Sequence, residues 1–476
     1  MAAKGKTLAN LGLTTARASH LLVQGLAVDS REVRPGYLFA ALPGARVHGA
    51  EFAEYACRQG ASAILTDPQG ADFIARTLLE HKAEICVVDD PRQALAGAAA
   101  LFFGAQPKVM VAVTGTNGKT SVSTFCRQIW TQIGLSAVNL GTTGVEGAWS
   151  APLNHTTPEP ITLHRALAQA AEAGVTHAAM EASSHGLDQK RLDGVVLSVA
   201  GFTNFTQDHL DYHATFDAYF AAKAGLFDRV LGPQGIAVIN VDDAKAADLL
   251  KGCAARGQST ITVGRGEADF QILGQKYDAT GQDILFSWQG DNHQVRVPLV
   301  GGFQGENLML AAAMVLAAGG EAEEVFASLK AVRSVRGRME LAATRSNGAS
   351  VYVDYAHTPD AVATALRALR PHVMGRLVVV LGAGGDRDPG KRVLMGQAAA
   401  EFADVVFVTD DNPRSEDPAD IRAMVMAGVA DATDVADRAE AILRAVDCLQ
   451  SGDTLLIAGK GHESGQIIGD DVFPFD

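Results

Sequence analysis

Residues 111–124 read VAVTGTNGKTSVST, and the rest of the chain is arranged around how this stretch folds. An apolar run of strand length, KVMVAV, enters it and ends at Gly115. Beyond the turn, Val122, Phe125, Cys126, Ile129, Trp130 and Ile133 recur at the spacing of one helical face, which Gly134 closes. Strand, glycine loop and helix in succession let backbone N–H groups at a helix N-terminus wrap phosphate oxygens. The stretch therefore predicts a parallel α/β sheet whose phosphate loop is Gly115, Thr116, Asn117, Gly118, Lys119, Thr120 and Ser121. Lys119 would neutralise the outer phosphates, and Thr120 would offer its hydroxyl to Mg²⁺. The loop is shorter than G-x-x-x-x-G-K-[ST], since Val113 stands where that pattern has its first glycine. Alone, it fits a kinase, a GTPase, a motor or a ligase, although no N-K-x-D motif follows to support the GTPase.

Downstream, strand-like runs end at Glu181 (THAAME), near Asn204 (SVAGFTN) and at Asn240 (GIAVIN), extending this domain to about Val332, with a tail that reads as added β hairpins. Glu181 closes one strand and His209 follows the next, which brings a carboxylate and an imidazole to the sheet edge that carries the loop. Such a pair suits Mg²⁺ or Mn²⁺ beside a nucleotide; each taken singly reads as a surface Glu or a satisfied His. Lys223 stands in register with Phe216, Tyr219 and Phe220, on an apolar face that Leu226 and Phe227 continue. A buried ammonium is costly unless paired or neutralised. The competing reading is a lysine that snorkels at the edge of the stripe.

Two further blocks flank this one. Residues 1–107 carry short β-type runs (YLFAAL, SAILTD, ICVVDD) between helical stretches, and FFGAQPK makes a linker with Gly104 and Pro107 as breakers. Residues 333–476 alternate apolar strands with helical patterns, and the strands lead into VDYAH, GAGGDRD, TDDNPR and AGKGHE. Strand ends of an open parallel sheet share one edge, where ligands bind, so four separated segments predict one site. The expected fold is α/β with three domains: 1–107, 108–332 with the phosphate loop, and a dinucleotide-fold-like 333–476.

The 476 residues are 47% hydrophobic and 20% charged, as in ordinary globular proteins, with 49 glycines for many turns. A formal charge of −14 argues against nucleic acid or an anionic membrane as partner, since either needs a basic face. No apolar run has the length of a membrane span, and MAAKGKTLANLGL lacks the core of a signal peptide, so a cytoplasmic location is expected. Cys57, Cys86, Cys126, Cys253 and Cys448 are scattered and odd in number, which reads as reduced core residues rather than a disulfide framework or zinc site.

Taken together, VTGTNGKTS, MEASSHGL, TNFTQDHLDYH, GENLMLAA, RGRME, VDYAHTPDA, GDRDPGKR, DNPR and GKGHE, in this order, resemble the Mur ligases, ATP-dependent amide ligases that build the peptide of bacterial peptidoglycan. That family's loop is the shorter G-x-x-G-K-[ST]. DSREVRPGYLFAALPG, SSHGLDQKR and above all DNPR are similar to the members that add meso-diaminopimelate to UDP-N-acetylmuramoyl-L-alanyl-D-glutamate through an acyl phosphate. The resemblance implies that Val28, Ser30, His48 and Gly49 face the UDP end of that substrate, and that Thr156, Thr157, Ser183, Gln189 and Arg191 hold its muramoyl-dipeptide part. It implies ATP contacts from Asn307, Arg338, Asp354 and His357. It makes Lys119, Glu181, His209 and Lys223 catalytic, with Thr120, Glu181, His209 and a CO₂-derived carbamate on Lys223 as Mg²⁺ ligands. Arg387, Asp411, Asn412, Pro413, Arg414, Gly459 and Glu463 would surround diaminopimelate, with Arg414 gripping the distal carboxylate that lysine lacks. A monomer that takes small molecules and enters no membrane is expected. An L-lysine-adding or other Mur ligase, a folylpolyglutamate-type synthetase and a nucleotide-gated switch protein are the alternatives. The chain departs from the family's pattern at SGQ after GKGHE, where relatives often carry an aromatic, and in stopping after FPFD, where they continue into a helix.

Overall fold

The structure is a computed structural model that describes residues 5–15, 18–44, 46–75, 83–206 and 212–475. Its contacts divide into two compact units: Met1–Thr262 with Ala313–Glu321, and Val263–Ala312 with Ala322–Asp476.

In the first unit a four-stranded parallel sheet runs Gly25–Ala27, Tyr37–Ala40, Ala63–Thr66, Glu84–Val87 in chain order. Helix Pro91–Phe103 follows, begun by the Asp90 side chain accepting from Gln93 N and ended by Gly104 at φ 69. The larger sheet of this unit is centred on Val109–Thr114, flanked by Leu197–Phe202 and His177–Glu181; Leu231–Asn240 and Ala137–Gly141 lie beyond them, and all these pairings are parallel. The chain thus lays strands on one side of Val109–Thr114 and then crosses to the other. Such a reversal opens a crevice at the C-terminal strand ends.

Helix Lys119–Gln132 buries Val122, Phe125, Cys126, Ile129 and Trp130, as the periodicity requires, with Ile133 as its C-cap. Helix Phe216–Gly225 buries Tyr219 and Lys223 and passes into a wider turn, Leu226–Val230. Phe216, the first residue of the expected stripe, is exposed, its ring packed on Phe205.

In the second unit Phe270–Asp278, Gly281–Trp288 and Asp291–Val297 form the expected antiparallel hairpins. The C-terminal sheet is ordered Glu340–Thr344, Ser350–Asp354, Thr454–Ala458, Leu377–Leu381, Val405–Val408, Thr433–Asp434, parallel throughout except for the first strand. Its inner strands are apolar runs buried on both faces, as helix-covered parallel strands must be. The cysteine expectation needs correction: all five are free thiols, but Cys57 and Cys448 are only half-buried, because each sits near the end of a short surface helix. No helix among the described residues is long and apolar enough to cross a membrane.

Candidate active site

The phosphate loop is held by its backbone. Gly115 at φ 146 and Gly118 at φ 87 adopt conformations that L side chains rarely reach, and a Cβ on Gly115 would collide with the Thr203 hydroxyl. Gly118 begins helix Lys119–Gln132 with no side-chain cap hydrogen bond among the described residues. The neighbouring strand end staples the loop: Asn117 N donates to Asn204 Oδ1 at 2.9 Å, Thr203 Oγ1 to Asn117 O at 2.6 Å, and Thr116 N to Asn204 O at 2.8 Å. Lys119 Nζ folds across the loop onto the carbonyls of Gly115 (2.9 Å) and Thr116 (2.8 Å).

Glu181 ends the adjacent strand and is 2% exposed. Its carboxylate accepts from Thr120 Oγ1 at 3.0 Å, Thr142 N at 2.8 Å and Thr142 Oγ1 at 3.3 Å. Among the described residues it meets only these neutral donors. A buried carboxylate without a cationic partner, 3.0 Å from the loop threonine's hydroxyl, is a donor set of hard oxygens suited to Mg²⁺. His209, the third expected ligand, lies outside the described residues. Lys223, also 2% exposed, donates to Gly115 O at 2.6 Å and stands 4.7 Å over the Tyr219 ring. It does not snorkel; the stripe delivers it to the underside of the phosphate loop.

The expected dipeptide-holding residues meet beside the Glu181 strand end, through its backbone carbonyl and Thr142. Thr157 Oγ1 donates to Glu181 O at 2.9 Å and accepts from Ser183 N at 3.0 Å, while Thr156 and Thr142 hydroxyls lie 3.0 Å apart. Arg191 Nη1 donates to Thr157 O at 2.6 Å, its Nη2 to Gln189 Oε1 at 2.8 Å, and Gln189 Nε2 to the Tyr212 hydroxyl at 3.1 Å. Burial pulls the Arg191 guanidinium below its usual range. Ser183 is drawn partly into fold work, capping Ser184–Asp188 through Gly186 N.

At the N-terminal sheet, Val28, Ser30 and Gly49 line a cleft of about 750 Å³ walled also by Val47, Phe52 and Tyr55. His48 is committed elsewhere: Nδ1 accepts from Ala50 N at 3.0 Å and Nε2 faces Asp67 Oδ1 at 3.1 Å. A ring nitrogen that accepts from an amide is unprotonated, which assigns the proton to Nε2.

In the second unit the four strand-end segments converge as expected. Asn412 Nδ2 donates to Glu463 Oε2 at 3.2 Å, and Arg414, at φ 51, donates from Nη1 to Gly385 O at 2.7 Å. Gly385 N bonds Asn412 O, and a Cβ on Gly385 would strike Pro413 O, so the GAGGDRD and DNPR loops touch backbone to backbone. Gly459, at φ 112, leaves room for Asp411, whose carboxylate a Cβ would meet at 2.7 Å. Arg387 is exposed and makes no hydrogen bond or ion pair among the described residues. Asp354 is half-buried, accepts from Met339 N at 2.7 Å and Ala356 N at 2.9 Å, and is pushed up by desolvation against the nearby Arg338 charge. Asn307 reaches Gln304 (3.4 Å), which bonds Arg338 O (3.1 Å), and Arg338 lies over the Tyr355 ring. His357 is turned onto Tyr355 O.

Sequence reasoning missed several residues. Thr142 follows a strand that went unread, and Lys460 and Arg438 hold the acidic group of the C-terminal site. Lys460 was visible inside GKGHE; Arg438, alone at the start of helix Arg438–Asp447, gave no signal.

Residues 113–315 match the Mur ligase middle domain, residues 337–461 the Mur ligase glutamate ligase domain, and residues 22–103 the Mur ligase family catalytic domain. The chain is 46% identical over 466 residues to the UDP-N-acetylmuramoyl-L-alanyl-D-glutamate--2,6-diaminopimelate ligase of Caulobacter vibrioides, covering 96% of this chain and 94% of that one. Identity to the enzyme of the same name from Bradyrhizobium diazoefficiens is 48% over 463 residues, covering 96% and 93%. A solved structure of such a ligase superposes with a TM-score of 0.74 at 34% identity, covering 99% of this chain and 97% of that one.

Proposed function

The chain belongs to the Mur ligase family, and from that premise we infer what its residues do. It is an ATP-dependent amide ligase that joins meso-diaminopimelate to the D-glutamate of UDP-N-acetylmuramoyl-L-alanyl-D-glutamate in peptidoglycan precursor synthesis. Identity of 46–48% to diaminopimelate ligases along nearly the whole chain carries this conclusion.

The glutamyl γ-carboxylate attacks the γ-phosphorus of ATP, giving an acyl phosphate and ADP; an amine of diaminopimelate then attacks the carbonyl, and phosphate leaves. Gly115–Ser121 cradle the ATP phosphates through backbone N–H groups, and Lys119 swings from its loop carbonyls onto them. Thr120 and Glu181, with His209, hold Mg²⁺, which when bound offsets the charge developing on the transferred phosphoryl group. Lys223 carries a CO₂-derived carbamate as a further ligand. Its buried nitrogen already lies 2.6 Å from the loop, and a carbamate keeps one N–H for Gly115 O. Thr156, Thr157, Ser183, Gln189 and Arg191 aim the dipeptide carboxylate at the loop, while Val28, Ser30 and Gly49 receive the uridine end. His48 shapes that cleft through its cap rather than by contact. Asn307, Arg338, Asp354 and His357 serve the nucleotide.

Arg414 and Arg387 take the distal carboxylate of diaminopimelate; Asp411, Asn412, Pro413, Gly459 and Glu463 complete the pocket for its ammonium. Segments 1–107, 108–332 and 333–476 divide this work into substrate, ATP and amino-acid domains. With ATP and a UDP-linked substrate, the enzyme works in the cytoplasm, as a monomer.

Phosphate release, with mass detection of product, tests the reading. Release and tripeptide that require ATP, Mg²⁺, the UDP-dipeptide and diaminopimelate together are expected. Equal turnover of L-lysine would remove the role of Arg414, and phosphate without ligated product would favour the nucleotide-gated switch.

A further inference from the structure

We infer that Lys460 is a positioning residue whose charge sets the preference of the amino-acid site for diaminopimelate over lysine. The inference rests on the reading that this site takes diaminopimelate. Lys460 is 4% exposed, and its ammonium donates to Asn412 Oδ1 at 2.5 Å and Gly465 O at 2.7 Å. It pairs with Asp411 Oδ1 at 3.6 Å and Glu463 Oε2 at 3.5 Å. One cation thus meets both acids of the cluster and fixes the Asn412 amide, whose Oδ1 also accepts from Ile467 N at 2.9 Å and whose Nδ2 faces Glu463.

Arg438 closes the opposite side. It is 2% exposed, its Nη1 lies 3.9 Å from Asp411 Oδ2, and its Nη2 donates to Ala458 O at 2.7 Å. Two carboxylates, Asp411 and Glu463, therefore face two buried cations, Lys460 and Arg438. The floor of the site is neutral, which leaves Arg414 and Arg387, neither of them in an ion pair among the described residues, as the charge offered to a ligand carboxylate. Lysine differs from diaminopimelate in lacking one carboxylate, so it carries one more net positive charge. Removing the Lys460 charge leaves the floor one unit negative and favours the more cationic amino acid. At an effective dielectric of about 20, a unit charge shifts relative affinity about tenfold at about 12 Å from the ligand charge and more at shorter range, so about tenfold is the least shift expected. General loosening of the pocket would weaken both amino acids alike.

The experiment compares full-length wild type, Lys460→Gln, Lys460→Met and Lys460→Arg for kcat and KM with diaminopimelate and with L-lysine, at saturating ATP and UDP-dipeptide, alongside melting temperature. Gln keeps a donor for Asn412 and Gly465 without the charge, so it reports on charge even where Met fails to fold. The expected result is a KM for diaminopimelate raised at least about tenfold in K460Q, a smaller change in kcat, and a diaminopimelate-to-lysine ratio of kcat/KM that falls at least about tenfold. K460R should restore the ratio. An unchanged ratio in K460Q, or a ratio lost equally in K460R, overturns the inference. Wild type that ligates neither amino acid overturns the reading beneath it.

Discussion

Glu181 shows at the scale of one residue how this enzyme sets stability against function. Its carboxylate sits in the interior against two threonine hydroxyls and one amide, with no cation among the described residues to offset the loss of water. Glu181→Gln keeps the shape and the acceptor for Thr142 N but removes the charge. Without Mg²⁺ it should melt no lower than wild type, while ligation falls at least about 100-fold, the scale of losing one electrostatic contact to a developing charge, and needs more Mg²⁺; a melt and a Mg²⁺ titration check both. Arg414 gives the converse case. It holds φ 51 so that its fork lies beside Gly385, and Arg414→Lys keeps charge but not the planar pair of donors. The kcat/KM for diaminopimelate should fall by about 2 kcal/mol, roughly 30-fold, the usual weight of a charged hydrogen bond, with little change in KM for ATP. Both residues were legible in the sequence, because each stands at a strand end in a loop of unusual composition. Arg438 was not, since a buried arginine at the start of a helix has no local pattern and acquires its role only from Asp411 across the sheet edge.

Among elements, the phosphate loop and its helix were legible because three independent signals agree there: apolar strand, obligatory glycines and helical periodicity. Strand Ala137–Gly141 escaped. AVNLG is short, and with the polar Asn139 at its centre and Gly141 at its end it reads as a turn. In the fold Asn139 is buried and satisfied by Arg127 Nε at 2.5 Å, a tertiary contact that pattern cannot supply. The staple from Asn204 onto the loop is also tertiary and predicts an element-scale effect. Asn204→Ala removes the acceptor for Asn117 N and the donor to Asn117 O, so KM for ATP should rise several-fold and stability fall by about 1 kcal/mol. Nucleotide titration and urea unfolding measure the two; unchanged ATP affinity would show that the loop holds its shape without the staple.

For the whole molecule, acid is the predicted weakness. His164, on the helix Pro160–Glu172 that packs against Pro91–Phe103, is 2% exposed, and burial pushes its pKa down to about 4 from the ordinary 6.5. Between those pH values the unfolded chain binds the proton and the folded one does not, so stability is fully present above pH 6.5 and is lost on acidification toward 4. The contribution is up to ~3 kcal/mol, and His462, His372 and His177 are displaced in the same direction, each mainly by burial. Urea melts should show stability rising from pH 4 to 6.5, with a shallower rise in His164→Gln. The C-terminal sheet adds a constraint of another kind. Its strand Thr454–Ala458 is the last of the parallel strands to be synthesised, yet it lies between Ser350–Asp354 and Leu377–Leu381. Those two strands must wait, unpaired along facing edges, while the ribosome makes the residues between. The phosphate loop and its neighbouring strands are complete in the nascent chain long before, so the sheet that carries the loop can pair its strands first, while the C-terminal sheet closes only once its central strand has been made.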